Sequence, residues 1–240
     1  MNLRFDLVAA VRFLTRVPLP LSARGEGFGA AAFPLVGLLL GAAALGTDTI
    51  AAALAPSLRN VAILAVWALL TGALHYDGLA DTLDAFAAPD REERLRIMRD
   101  TAIGAFAVLG IVLTVAAELA ALAALDRSAR RAALLVAPAL GRCAMVLGAV
   151  GAPSARDEGL GAAFARDVSA GDAGFATLVT IASAAILAGR SGLLACLLAG
   201  ALTVGMRRLA VSRFGGVTGD VLGATGLVVE TLSLAVLASK

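Results

Sequence analysis

The sequence predicts an all-α fold, a polytopic integral membrane helical bundle of six to seven transmembrane helices with an N-terminal interfacial helix. Three observations carry this expectation. Of 240 residues, 60% are apolar and only 16% charged, against about 45–50% and about 25% in a soluble domain. Mean hydropathy is +0.89. The apolar residues also fall in runs of about 20, the length that takes a helix through about 30 Å of hydrocarbon. The same figures exclude other classes. With 20 basic against 18 acidic residues and a net charge of +2, the chain has no cationic surplus with which to displace phosphate counterions, so a nucleic-acid partner is excluded. Cys143, Cys196 and the single His75 cannot assemble a disulfide framework or a multi-ligand zinc site.

Residues 1–20 open the chain as an interfacial amphipathic helix. Leu3, Leu7, Val8, Val11 and Leu14 recur at helical spacing, while Arg4, Asp6, Arg12 and Arg16 interrupt any signal-peptide core. Pro18 and Pro20 end it. The apolar runs 32–55, 61–79, 103–125 and 132–152 each supply one span, and 221–238 supplies the last. The run 174–206 is too long for one ordinary span and contains Gly189, Arg190, Ser191 and Gly192. It reads as two short helices around a tight turn, with a single tilted or kinked span as the alternative. Basic residues orient the bundle. With the N-terminus in the cytoplasm and seven spans, the inner side receives Arg4, Arg12, Arg16, Arg24, Arg91, Arg94, Arg96, Arg99, Arg156, Arg166, Arg207, Arg208 and Arg213. The outer side receives Arg59, Arg190, Lys240 and the cluster Arg127, Arg130 and Arg131, which opposes the trend.

The most informative stretch is Gly72-Ala-Leu-His-Tyr-Asp-Gly-Leu-Ala-Asp-Thr-Leu-Asp-Ala-Phe86. At about 100° per helical residue, Asp77, Asp81 and Asp84 share one helix face. Three like charges at that spacing repel one another and are costly to ionise near hydrocarbon, and a divalent cation removes both objections. Oxygen ligands without sulfur or an imidazole cluster suit magnesium, which keeps waters and is shared with substrate phosphates. The competing reading is a solvated helix end. His75 stands equally as a general base or as a hydrogen-bonded structural residue. Downstream, 90–100 reads as a short surface helix with Asp90 as N-cap, Glu93 three residues on, and a Glu92–Arg96 pair. Arg99 and Asp100 stand at the entrance to the next span, before the flexible Gly104. A second polar island, 213–224, combines Gly215, Gly216, Thr218, Gly219, Asp220 and Gly223. Its glycines allow a phosphate close to the backbone; a plain glycine-rich connector is the alternative. Glu230 lies ten residues into the last span.

Taken together, Phe13-Leu-Thr-Arg-Val-Pro-Leu-Pro20, Phe33-Pro-Leu-Val-Gly37, Leu74-His-Tyr-Asp-Gly-Leu-Ala-Asp-Thr-Leu-Asp84, Arg94-Leu-Arg-Ile-Met-Arg-Asp100, Glu158-Gly-Leu-Gly161 and Gly215-Gly-Val-Thr-Gly-Asp-Val-Leu-Gly-Ala224 resemble the cobalamin synthase family, the adenosylcobinamide-GDP ribazoletransferases. The resemblance covers nearly the whole chain. Ala85, Thr101, Ala102 and Leu227 depart from the family's usual residues, while all three aspartates and Glu230 remain.

The resemblance implies a single membrane-embedded transferase domain over 1–240, with an acidic active-site segment at 72–104 and the turn 213–224 on the cytoplasmic side of the prokaryotic plasma membrane. It implies that adenosylcobinamide-GDP and α-ribazole, or α-ribazole 5′-phosphate, are joined with release of GMP. Asp77, Asp81 and Asp84 would hold Mg2+, and His75 or Asp100 would take the proton. Arg99, Gly104, Gly216, Thr218, Gly219, Asp220 and Glu230 would bind substrate. Beyond the lipid bilayer and these small molecules, a homo-oligomer or association with other cobalamin-biosynthesis enzymes is open. Two alternatives stand beside this reading. A lipid-acting CDP-alcohol phosphotransferase would carry Asp-Gly-x2-Ala-Arg where this chain has Asp77-Gly-Leu-Ala-Asp81. An ion transporter would spread its acids over several spans near the midplane.

Overall fold

The computed structural model describes residues 3–19 and 27–239. Pro20, Arg24 and Lys240, and the side chains of Leu3 and Arg4, lie outside the described residues. The helices are α1 (Leu3–Leu14), α2 (Phe33–Ile50), α3 (Pro56–Thr71), α4 (Leu74–Phe86), α5 (Arg91–Ile97), α6 (Ala105–Ala124), α7 (Arg127–Ala149), α8 (Leu160–Asp167), α9 (Ala170–Phe214) and α10 (Gly219–Ala238). No strand is formed among the described residues.

α7 is the axis of the bundle. It is buried almost continuously from Ala132 to Ala149, because α2, α9 and α10 pack around it. Small residues throughout these helices let the backbones approach, which is how bundles cohere where lipid removes the hydrophobic drive. The outer helices are apolar but face outward. On α6, Phe106, Val108, Leu109, Val112 and Leu113 are all exposed, as expected of a surface that meets acyl chains.

Five helical segments among the described residues are long and apolar enough to cross a membrane: Ala30–Ala53 around α2, and α6, α7, α9 and α10. α3 and α4 reach that measure only as a pair, bent by 87°. The run 61–79, expected as one span, is therefore broken. Gly72 (φ 63°) and Ala73 (φ 56°) are both left-handed, so the chain leaves α3 and turns before the first aspartate. Continuing straight would have carried the acidic residues of α4 through hydrocarbon.

α9, 45 residues long, is interrupted at Gly189, where φ is 55° and ψ −130°. A straight helix of that length would measure about 68 Å, more than twice the hydrocarbon thickness. Its arms fold back on each other instead: Thr177 and Ile181 of the first arm share a small cavity with Cys196 and Gly200 of the second. This is the two-helix reading of 174–206. Five segments pass the measure, or six with α3 and α4 counted as one broken span, and the fold-back of α9 divides one of the five in two.

α1 forms over Leu3–Leu14, but its apolar side docks on protein. Ala10 and Leu14 are fully buried, and Phe13 stacks with Phe33 and Phe164, with Phe28 edge-on to Phe13 and Phe164 (centroids 4.9–5.9 Å). α5 begins at Asp90, whose carboxylate accepts from the Glu93 N–H (2.9 Å). Its ion pair joins Glu93 to Arg96 (2.6 Å); the expected Glu92–Arg96 pair gives way to this i, i+3 neighbour, which offers both carboxylate oxygens to the guanidinium.

Candidate active site

At the end of the bundle where α3 and α7 finish and α10 begins, a cavity of about 480 Å³ opens between α1, α4, α8 and the loop before α8. Asp77 is on its wall, together with Thr218, Gly219 and Asp220 of the polar island. The two segments singled out in the sequence therefore meet, although well over a hundred residues separate them.

A close approach of α4 and α10 makes the meeting possible. A Cβ on Gly78 would stand 2.6 Å from the Asp220 carbonyl oxygen, so only glycine lets the helices touch backbone to backbone here. Asp81, one turn beyond Asp77 and half-buried, is within the field of Asp77, Asp220 and Arg156. Beneath it, Leu79 packs on Ala224 and Leu227. The departure at Leu227 is thus absorbed as an apolar contact between the same two helices.

The turn 215–218 is fixed from the other side. Val217 N–H donates to the Pro153 carbonyl (2.8 Å), and Ala155 N–H to the Val217 carbonyl (3.0 Å). A side chain on Gly216 would collide with the backbone of 153–155. Thr218 then caps α10, accepting the Val221 N–H through Oγ1 (3.1 Å). This registration brings Arg156 to Asp220, with Nη1 3.4 Å from Oδ2, an ion pair too long for a good hydrogen bond. Asp220 Oδ2 and Arg156 Nε and Nη2 are buried without any hydrogen-bond partner among the described residues. Buried charged atoms are ordinarily satisfied, so this corner has the character of a ligand site.

Other expected site residues lie elsewhere. Asp84 shares the face of Asp77 and Asp81, but its carboxylate is engaged: Gly104 N–H donates to Oδ2 (2.6 Å) and Ala107 N–H to Oδ1 (2.9 Å). It ties the start of α6 to α4, and Gly104 serves that contact rather than the cavity. No group of three potential metal ligands is assembled among the described residues. His75 is buried under α10 with Nε2 unpartnered, close to Gly223 and off the cavity wall. Arg99 and Asp100 are exposed, and Asp100 accepts the Ala102 N–H in a local turn (3.0 Å). Glu230 is inside the bundle, ion-paired with Arg142. Near it Tyr76 OH donates to Glu118 (2.6 Å), as does the Thr231 hydroxyl (3.0 Å). These groups anchor α4 to α6, α7 and α10 from within.

The cavity also contains residues that the sequence did not single out for it. Arg12 and Arg16 reach it from the end of α1, and Arg156, Glu158 and Gly161 from the loop and start of α8. Glu158 and Gly161 lie in one of the motifs that carry the family resemblance and Arg16 in another, without a role assigned to them there; Arg12 and Arg156 are marked only by their charge.

The cobalamin-5-phosphate synthase family model matches residues 6–238. The chain belongs to this family. It is 40% identical over 239 residues to the adenosylcobinamide-GDP ribazoletransferase of Pseudomonas paraeruginosa, covering 97% of each chain. The enzyme of the same name from Pseudomonas syringae pv. syringae is 38% identical over 234 residues, 95% of each. That of Syntrophobacter fumaroxidans is 42% identical over 205 residues, 84% of this chain and 83% of its own. No solved structure matches the chain. For a cobalamin-5-phosphate synthase, a polytopic membrane bundle with carboxylates and arginines facing each other across one cavity is an arrangement suited to a diphosphate substrate.

Proposed function

We propose that the cavity between α4 and α10 is where this cobalamin synthase joins adenosylcobinamide-GDP to α-ribazole or its 5′-phosphate. The ribazole hydroxyl attacks the phosphorus bonded to the cobinamide side; the new P–O bond forms as the bond to the GMP oxygen breaks, and GMP leaves. The observation that carries this reading is the convergence of Asp77, Asp220, Arg156, Arg12 and Arg16 on one cavity. Phosphoryl transfer needs positioning and charge neutralisation above all.

The donor set fits magnesium. Asp77 and Asp220, both on the cavity wall, offer only carboxylate oxygens, one of them buried beside Arg156 without a hydrogen bond; Mg2+ takes one or two carboxylates besides substrate phosphates and water, and Asp81 stands one turn beyond Asp77. When bound there, the ion would supply charge neutralisation for the diphosphate and leaving group. Asp84 is assigned to positioning α6 instead. Arg156, Arg12 and Arg16 clamp phosphate oxygens, and the bare backbone at Gly219, opening α10, presents amide hydrogens to the same anion. Glu158, which also lines the cavity, accepts the hydroxyl proton. In this reading the cavity opens to the cytoplasmic face of the plasma membrane, which the arginines gathered at this end support.

The test follows GMP release and corrinoid product from membranes given adenosylcobinamide-GDP, α-ribazole phosphate and magnesium. Asp77→Asn and Asp81→Asn should each lower turnover by about a hundredfold or more, in line with loss of a group that stabilises the transition state. Full magnesium-dependent turnover in both variants would overturn the site.

A further inference from the structure

The far end of the bundle holds a second cavity, of about 510 Å³, that the transfer reaction does not use. From Arg127, on its wall, to Met145, on the wall of the first cavity, α7 rises about 27 Å. The two cavities therefore open near opposite surfaces of the membrane.

A polar latch forms the floor. Asp48, 8% exposed, is ion-paired with Arg59 and with Arg130 Nε (2.8 Å). Arg130 also donates to Asn60 Oδ1 and to the Leu122 carbonyl, both at 2.7 Å. Every nitrogen of Arg130 is thus used within the protein. Arg127 and Arg131 are not held this way. They stand one turn apart at the start of α7, line the same cavity and are exposed, and no ion pair between described residues engages either. Arg59 Nε is buried without a hydrogen-bond partner. The wall thus carries four arginines and one carboxylate, Asp48, which pairs with two of them. The rest of the wall is largely apolar, with Leu45, Ala52, Pro56, Leu122 and Leu125, and Ile50, Leu54 and Leu58, which neighbour wall residues along the chain, are exposed.

We propose that this cavity binds an anionic phospholipid, its headgroup phosphate held by Arg127, Arg131 and Arg59 and its acyl chains lying along the apolar rim. A free inorganic anion would leave the apolar rim unused, and a zwitterionic headgroup would bring its own cation to a site already in cationic excess. Such a ligand also accounts for three arginines on a side of the membrane where basic residues are otherwise sparse.

The test uses the full chain, delipidated in an uncharged detergent, with native mass spectrometry reading bound lipid. Phosphatidylglycerol should bind at least about tenfold more tightly than phosphatidylcholine of the same chains, and the double variant Arg127→Gln/Arg131→Gln should bring the two to parity. The variant should retain wild-type GMP release, which shows that it is folded, since neither residue touches the transfer site. Equal binding of both lipids to wild type, or undiminished phosphatidylglycerol binding in the variant, would overturn the proposal. Displacement of the lipid by millimolar inorganic phosphate would also overturn it, by giving the cavity to a free anion.

Discussion

Asp84 shows how one side chain can satisfy a sequence pattern and serve another purpose. Its spacing from Asp77 and Asp81 sets all three on one helix face, and that was legible. That the amides of Gly104 and Ala107 take its oxygens was not, because those partners follow a surface helix whose path depends on tertiary packing. Asp84→Ala should cost about 1–2 kcal/mol, the usual loss on removing a helix cap, read as a lower unfolding midpoint in detergent. Asp84→Asn should keep the magnesium concentration for half-maximal rate, whereas Asp77→Asn should raise it. Arg142 and Glu230 make the same point inside the bundle. Glu230 looked like a ligand ten residues into a span; buried against Arg142, it balances a charge. Arg142→Met should destabilise by about 3–5 kcal/mol by stranding the carboxylate, and adding Glu230→Gln should recover most of that. Thermal unfolding of the single and double variants checks it.

At the scale of elements, the decisive event is the 87° bend between α3 and α4. Hydropathy carried the span to residue 79 because Leu79 and Ala80 are apolar, yet the chain turns at Gly72, where a left-handed residue is readily formed. What the turn achieves depends on the contact of Gly78 with the Asp220 backbone. Gly78→Ala should push α4 off α10 and separate Asp77 from Asp220, lowering turnover by at least about tenfold while costing about 1–3 kcal/mol, the range for overpacking. Kinetics and unfolding of the same preparation distinguish the two effects. The break at Gly189, by contrast, was legible, since Gly-Arg-Ser-Gly interrupts an apolar run too long for one crossing.

For the molecule as a whole, composition was enough to assign the class, and the acidic and glycine-rich motifs were enough to indicate two walls of the cavity. The third wall, from Arg12, Arg16 and Arg156, was hidden because α1 and the loop before α8 come together only through the phenylalanine cluster and the pairing of 153–155 with 217. Orientation remains a prediction with a direct check. Cysteine placed by Arg99→Cys should resist an impermeant maleimide in intact cells and react once they are opened. Cysteine placed by Arg190→Cys should react in both.

The fold-back of α9 also bears on how the protein is made. Between Asp172 and Arg207 the only charged residue is Arg190, at the tip of the two arms. A first arm inserted alone would leave the second, equally oily, stranded in water, so the ribosome must deliver both before either is stable. The pair is expected to enter the bilayer as one hairpin with a single guanidinium at its tip, before α10 and the glycine-rich turn that precedes it take their place. The cavity, walled in part by α10 and that turn, is therefore completed only after the α9 hairpin is in place.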